Sequence, residues 1–233
     1  VEEGHADANV CNSSGHTPLL EACVKSRLAI VQFLVEEGHV DANVCDDCGY
    51  TTLIMACMLI PMQQIMQERL HSTRLQPGKA WKKNHLEIVQ FLVEEGHADT
   101  NVCGESGHTP LVVACMYNHM EIVQFLVEEG HADAKVVDRD GNTPLHHAHS
   151  LDIAKFLVEK AEAEVNRTTN GGDTPLHMAS KNGHLDVVKF LVEKAKAEAD
   201  VNRTNNDGNT PLSLASENGH LNTVRYLVKH TLL

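Results

Sequence analysis

The sequence predicts an all-α repeat solenoid, about six short helix pairs stacked in one curved domain. Three observations predict it. A Thr-x-Leu start recurs at Thr17, Thr51, Thr109, Thr143, Thr174 and Thr210, at intervals of 34, 58, 34, 31 and 36 residues. A second phrase, Ile30-Val31-Gln32-Phe33-Leu34-Val35-Glu36-Glu37-Gly38, returns at 88–96 and 122–130 and, with drift, at 187–194 and 224–229. Aromatic residues make up 4% of the chain against 42% hydrophobic, which suits thin layers of small aliphatic side chains rather than one core built on large rings.

Within a unit, each element has a local reason. Thr17 stands where an N-cap belongs, and Pro18 occupies the first turn, where no N–H is needed. Leu19, Ala22 and Cys23 form a narrow apolar stripe, small where the neighbouring unit packs close. The second helix buries Leu28, Val31, Leu34 and Val35 at helical spacing. Gly38 is expected to end it at positive φ. Residues 40–50 carry Asp, Asn and Gly and read as an extended arm with a tight turn. Helices this short do not hold alone, so stacking supplies the missing burial and stability is shared between neighbours. Leu176 is expected in that shared core, between the fourth, fifth and sixth units. The boundaries are a partial unit at 1–16, then 17–50, 51–108 with an insertion at 58–83, 109–142, 143–173, 174–209 and 210–233.

Thr143-Pro144-Leu145-His146-x-Ala148 and Thr174-Pro175-Leu176-His177-x-Ala179, with Gly183-His184-Leu185-Asp186-Val187-Val188 opening a second helix, resemble the ankyrin-repeat signature. The resemblance covers nearly the whole chain outside the insertion. It implies helix pairs, β-hairpin fingers and a curved stack, and protein recognition as the task. Some units depart from the signature. Leu20, Ile54, Val112 and Ser213 replace its His, so hydrogen bonding between units through that residue is not expected there. Thr52 replaces Pro. The fourth unit is about three residues short near 147–150, and the fifth has two extra near 197–200. Asn43 and Asn101 sit in Asp-x-Asn arms resembling those hydroxylated by the ankyrin asparaginyl hydroxylase, with Ala42 or Thr100 in place of the usual Val.

The insertion, 58–83, carries Arg69, Arg74, Lys79, Lys82 and Lys83 against Glu68, a net of +4 on an acidic body. Two readings stand open. One is a mobile loop or the remnant of a decayed repeat. The other is a basic amphipathic helix at 62–70 that docks on the solenoid or in an acidic, calmodulin-like groove. Pro77 and Gly78 predict that 76–83 is mobile, with the second helix resuming at Asn84.

The resemblance assigns partner contact to the finger tips and the exposed side of the first helices. By register these are Ser13, Ser14, His16 and Lys25 in the first unit, and Asp47 and Tyr50 in the second. Glu105, His108, Met116 and Tyr117 follow in the third, and Arg139, Asp140 and Asn142 in the fourth. Asn170, Asp173 and Lys181 belong to the fifth, and Asn206 and Asp207 to the sixth. They vary between units while the core repeats, as a specific face on a fixed scaffold requires; a merely solvated polar edge is the competing reading. Tyr50, Met116 and Tyr117 would be its apolar centre.

The net charge is −13. Such a body repels phosphate backbones, so the expected partner is a basic or polar protein segment rather than nucleic acid, bound by a monomer. No apolar run approaches the ~20 residues that span a bilayer, so membrane insertion is not expected. Seven cysteines, an odd number that mostly follows the period, read as reduced thiols of a cytoplasmic protein, the nucleus being the alternative. Val1 opens inside a phrase that recurs later, which reads as part of a longer array.

Sixteen histidines invite a metal site, yet His5, His39, His97 and His131 share one repeat position and His85, His119, His184 and His220 another. Periodicity assigns these a structural role. Cys45 and Cys48 form a lone Cys-x-x-Cys without a second pair, and His147 and His149 are read as belonging to the shortened unit. No metal and no cofactor is expected. No unique acid, base and nucleophile stands out, and no phosphate loop, so the chain is not read as an enzyme. The reading is a protein–protein interaction scaffold; the alternatives are a spacer in a longer array, or the targeting domain of an enzyme whose catalytic part lies elsewhere.

Overall fold

Each unit begins with a threonine that caps its first helix. The hydroxyls of Thr17, Thr51, Thr109, Thr174 and Thr210 accept the amide N–H three residues on, at 3.2–3.4 Å. This satisfies a donor that the first helical turn leaves without a partner. The computed structural model describes residues 7–13, 15–58, 78–195 and 201–231, with the backbone alone for 78–84, 195 and 231. The first helices are α1 (Pro18–Val24), α3 (Thr52–Met58), α5 (Pro110–Met116), α8 (Pro175–Lys181) and α10 (Pro211–Glu217), and a 3-10 turn at Pro144–His147 takes that place in the fourth unit. The second helices are α2 (Leu28–Glu36), α4 (Gly78–Glu94), α6 (Met120–Glu128), α7 (Leu151–Glu159), α9 (Leu185–Ala195) and α11 (Leu221–Thr231).

First helices stack on first helices and second on second, giving two rows. The first row is the closer-packed, because its interior positions are small: Ala22 and Cys23, Ala56 and Cys57, Ala114 and Cys115 are all buried. A stack whose rows differ in spacing bends toward the closer row, so the first helices line the inner side. The core runs the length of the stack through Leu19, Leu53, Leu111, Leu145 and Leu176 in one row and Leu92, Leu126, Leu157 and Leu191 in the other. Leu176 is 4% exposed, as its place in the shared core requires.

The second helices are flanked by neighbours on both sides except at the two ends of the described stack, α2 and α11, where Leu221 and Val228 of α11 are 57% and 41% exposed. Phe125 and Ile122 are 7% and 2% exposed, whereas Phe33 and Ile30, at the same positions, are 61% and 50% exposed. Of the four residues expected in the core of α2, Val31 is fully buried, and Leu28, Leu34 and Val35 are only half-buried. They lack a second helix on the outer flank among the described residues.

Three local expectations need correction. Positive φ after α2 falls on His39 (φ 48°), not on Gly38, and the pattern repeats at His97, His131 and Glu162. Gly38 is small for another reason: a Cβ there would stand 2.7 Å from the Leu34 carbonyl oxygen. The fourth unit has Ala161 at this position, and its cap bond to the Phe156 carbonyl is 3.2 Å against 2.9 Å for Gly130 to Phe125. Second, α4 starts at Gly78, so residues 78–83, expected to be mobile, are helical in backbone. Glycine is tolerated as the first residue of a helix, where few bonds depend on it. The expected second-helix register holds beyond it, with Ile88, Val89, Phe91 and Leu92 buried. Third, the hairpin fingers are tight turns rather than strand pairs; the single bridge among the described residues joins Cys45 and Thr51. It arises where Thr52 replaces Pro, because Thr52 has an N–H to donate to the Val44 carbonyl, at 3.3 Å.

The fourth unit is short where expected. Its first helix is reduced to the 3-10 turn, and Ser150 caps α7 through the Ile153 N–H at 3.4 Å. The rest of the insertion, 59–77, with the helix expected at 62–70, lies outside the described residues, as do 196–200, which hold the fifth unit's extra residues.

Candidate protein-recognition face

The fingers are built from one five-residue turn. The amide of its first residue donates to the carbonyl of the fifth, and the amide of the fourth, a glycine, donates back to the first. These bonds are 3.1 and 2.9 Å in the finger from Asp46 to Tyr50, and both 3.0 Å in that from Asp138 to Asn142. The glycine takes φ of 71° at Gly49 and 83° at Gly141, a region that a side chain disfavours. The first side chain seals the turn from inside. Asp46 Oδ1 accepts the amides of Cys48 and Tyr50, Asp138 Oδ1 those of Asp140 and Asn142, and Asn205 Oδ1 those of Asp207 and Asn209. The first residue of each finger is therefore structural, and the residues after it form the tip.

Tips bond to the next tip. The Asn170 amide donates to the Asp140 carbonyl at 2.8 Å and the Asn206 amide to that of Gly171 at 2.9 Å. The carboxamides add Asn170 Nδ2 to the Arg139 carbonyl and Asn206 Nδ2 to the Asn170 carbonyl. The fingers thus form a continuous ribbon rather than independent loops. Below the tips, His146 and His177 tie the units together. Each accepts its threonine's amide on Nδ1 and donates from Nε2 to a carbonyl of the next finger, Asp173 and Asn209, at 3.1 Å. Burial pushes both imidazoles below their ordinary pKa, His146 to about 4. Ser213 reproduces only the local half, its hydroxyl accepting the Thr210 amide.

At four junctions the fifth residue of one finger meets the first residue of the next. Asp173 accepts from Asn205 Nδ2 at 2.8 Å, Tyr50 lies over Gly104, and His16 approaches Asp46 at 3.9 Å. At the same junction His108 Nε2 is 3.5 Å from Asp138 Oδ2, and His147 Nε2 is 3.3 Å from that same oxygen. The two imidazoles meet edge to face, with centroids 6.0 Å apart. Burial opposes the charge on Asp138, but its bonds from Asn142 and from His147 outweigh it and hold the carboxyl below its usual range. Burial lowers the His147 pKa, against the pull of Asp138.

Of the residues assigned to partner contact, Ser13, Lys25, Asp47, Glu105, Arg139, Asp140, Asn170, Lys181, Asn206 and Asp207 are exposed. His16, Tyr50, His108, Met116, Tyr117, Asn142 and Asp173 are half-buried. Ser14 lies outside the described residues. Tyr117 stacks on His119, with centroids 6.3 Å apart, and Tyr50 is packed against the third finger. Met116 and Tyr117 stand on α5 and its cap, while Tyr50 serves the junction below the tips. Sequence reasoning missed the meeting of His108, Asp138 and His147. The signal was present: other units carry Glu21, Met55, Val113, Met178 and Leu214 where the fourth has His147, so this histidine does not follow the period.

Two of the periodic histidines bond within the stack, as a structural role requires. His220 Nε2 bonds the Lys181 carbonyl at 2.9 Å, and His85 lies against the Ser26 hydroxyl at 3.1 Å, both reaching one unit back. Cys23, Cys57 and Cys115 are buried, and burial raises their thiol pKa values. Cys11, Cys45, Cys48 and Cys103 are exposed and free. On the outer arms the carboxamide oxygens of Asn43 and Asn101 accept the amides of Asp99 and Asp133, both at 2.8 Å. No helix among the described residues is long and apolar enough to cross a membrane.

A search of the curated proteins returns no match. The family profile described as ankyrin repeats matches three times, at residues 1–66, 79–169 and 149–232. With its threonine-capped first helices, its ribbon of fingers and this match along nearly its full length, the chain belongs to the ankyrin-repeat family.

Proposed function

We propose that the chain recognises a basic or polar segment of a partner protein through its finger tips and the exposed side of its first helices. Ankyrin repeats are generally protein–protein interaction modules. The observation that carries the finer reading is the division of labour inside each finger. The glycine persists from unit to unit, and a sealing side chain is present in every finger but the third, while the exposed tips read Asp47, Glu105, Arg139-Asp140, Asn170 and Asn206-Asp207. A fixed scaffold with changing tips is what specificity needs. Acidic tips on a body of net charge −13 favour a basic segment. The free thiols suit a reducing compartment, the cytoplasm or the nucleus.

One observation favours the spacer reading instead. The exposed face of Ile30 and Phe33 is of the kind that a further unit covers elsewhere in the stack. Proximity labelling in the native cell, followed by binding measurements on a triple variant Asp47→Ala, Glu105→Ala and Asp140→Ala, separates the two. Recognition predicts a recovered partner whose binding weakens at least about tenfold, with melting unchanged. A partner bound equally well by the triple variant would overturn it.

A further inference from the structure

The finger junction between the third and fourth units differs from the others in chemistry. We propose that His108, Asp138 and His147 form a binding site for a zinc-type divalent transition-metal ion. The three ligand atoms all lie within 4.8 Å of one another. Two edges of the triangle, 3.3 and 3.5 Å, run from Asp138 Oδ2 to the histidine Nε2 atoms. Bonds of about 2.0–2.2 Å in a tetrahedral zinc site place neighbouring ligand atoms about 3.3–3.5 Å apart. Two edges already have that length, and a rotation of one imidazole closes the third. Two imidazoles and one carboxylate suit zinc and its neighbours, not calcium or magnesium, which take oxygen ligands.

The carboxylate is oriented before any ion arrives. Oδ1 of Asp138 is held by the amides of Asp140 and Asn142, and Asn142 Nδ2 reaches both oxygens at 3.1 and 3.0 Å. Such support fixes a ligating group and raises affinity. Without metal, each neutral imidazole can offer its Nε2–H to the carboxylate. With metal, the proton of each ring resides on Nδ1 and the Nε2 lone pair turns to the ion. The side chains of His108 and His147 are 21% and 15% exposed against 2% for Asp138, so the fourth coordination position faces solvent and takes water.

The stack contains its own control. His16 and Asp46 repeat the His108–Asp138 relation at 3.9 Å, but the second unit has Met55 in the place of His147 and cannot supply a third ligand. The site therefore depends on the one histidine that breaks the period.

The test uses the full chain, stripped with chelator and titrated with zinc by calorimetry, and with cobalt by visible absorption. Three variants accompany it. His147→Met installs the residue found at Met55 and Met178. Asp138→Asn installs the side chain that seals the turn at Asn205. Cys45→Ser with Cys48→Ser removes the competing thiols. The site predicts one ion bound by the native chain and by the cysteine variant, with a tetrahedral cobalt spectrum. It also predicts affinity at least about tenfold lower in each of the other two variants, both folded by circular dichroism. Zinc should raise the melting temperature of the native chain and not that of His147→Met. Absence of binding by the native chain, or binding that survives both His147→Met and Asp138→Asn, would overturn the proposal.

Discussion

The ring of Tyr50 lies against Gly104: a Cβ on residue 104 would stand 3.1 Å from Tyr50 Cδ1. The third finger therefore lacks the sealing side chain that Asp46, Asp138 and Asn205 supply elsewhere, and an aromatic ring fills the space. Gly104→Asp, which restores the usual residue, is expected to cost about 1–3 kcal/mol through overpacking. Adding Tyr50→Asn should recover most of the loss. Urea melts of the two single variants and the pair test this; additive effects would mean that the two positions are independent.

Acid should loosen the C-terminal half before the N-terminal half. His146 is buried and neutral, with a pKa near 4 against an ordinary 6.5. The unfolded chain takes up this proton first, so the stability it contributes is complete above about pH 6.5 and falls as the pH drops toward 4. The change across that window is about 3 kcal/mol. His177 shifts in the same direction. The first three units carry Leu20, Ile54 and Val112 there and contribute nothing to this slope. Denaturant melts from pH 7.5 to 4 check it, with His146→Leu expected to flatten the dependence.

Leu176→Ala should cost about 2–5 kcal/mol, because the side chain is buried where three units meet. Coupling is between neighbours, so faster hydrogen exchange should concentrate in α8 to α11. Uniform loosening along the chain would contradict a modular stack.

Two identical residues should behave oppositely. Phe125→Ala is expected to cost about 3–5 kcal/mol, whereas Phe33→Ala, at a 61% exposed position, should change stability by about 0.5 kcal/mol or less. Thermal melts of both variants decide it.

The repeat made most of the fold legible. Capping threonines, small inner residues and the recurring apolar phrase each have one physical reading, and they agree. What escaped depended on contacts that the repeat pattern alone does not display. Gly38 was read by its freedom, when the close Leu34 carbonyl decides its size. The length of α4 was hidden by Pro77 and Gly78, which read as breakers but permit a helix that begins at Gly78. The tips were legible as positions, since register fixes them. Their partners were not: that His108 meets Asp138 follows only when the fifth residue of one finger is set against the first residue of the next. His147 joined them because the fourth unit has a distinct residue there, a signal overshadowed by the unit's shortened length.

Association with the partner should slow as salt rises, since Asp47, Glu105 and Asp140 are exposed and their fields are screened beyond about 8–10 Å at physiological ionic strength. Stopped-flow on-rates between 50 and about 500 mM salt test it; a salt-independent rate would speak against a basic partner segment.

The most direct test of recognition is hydrogen–deuterium exchange of the chain with and without its partner. Recognition through the tips predicts protection at residues 46–50, 104–108, 138–142 and 170–173 and along the exposed side of α5 and α8, with the outer arms at 41–44 and 99–102 unchanged. Protection confined to those arms or to the second helices, with the tips exchanging freely, would contradict it.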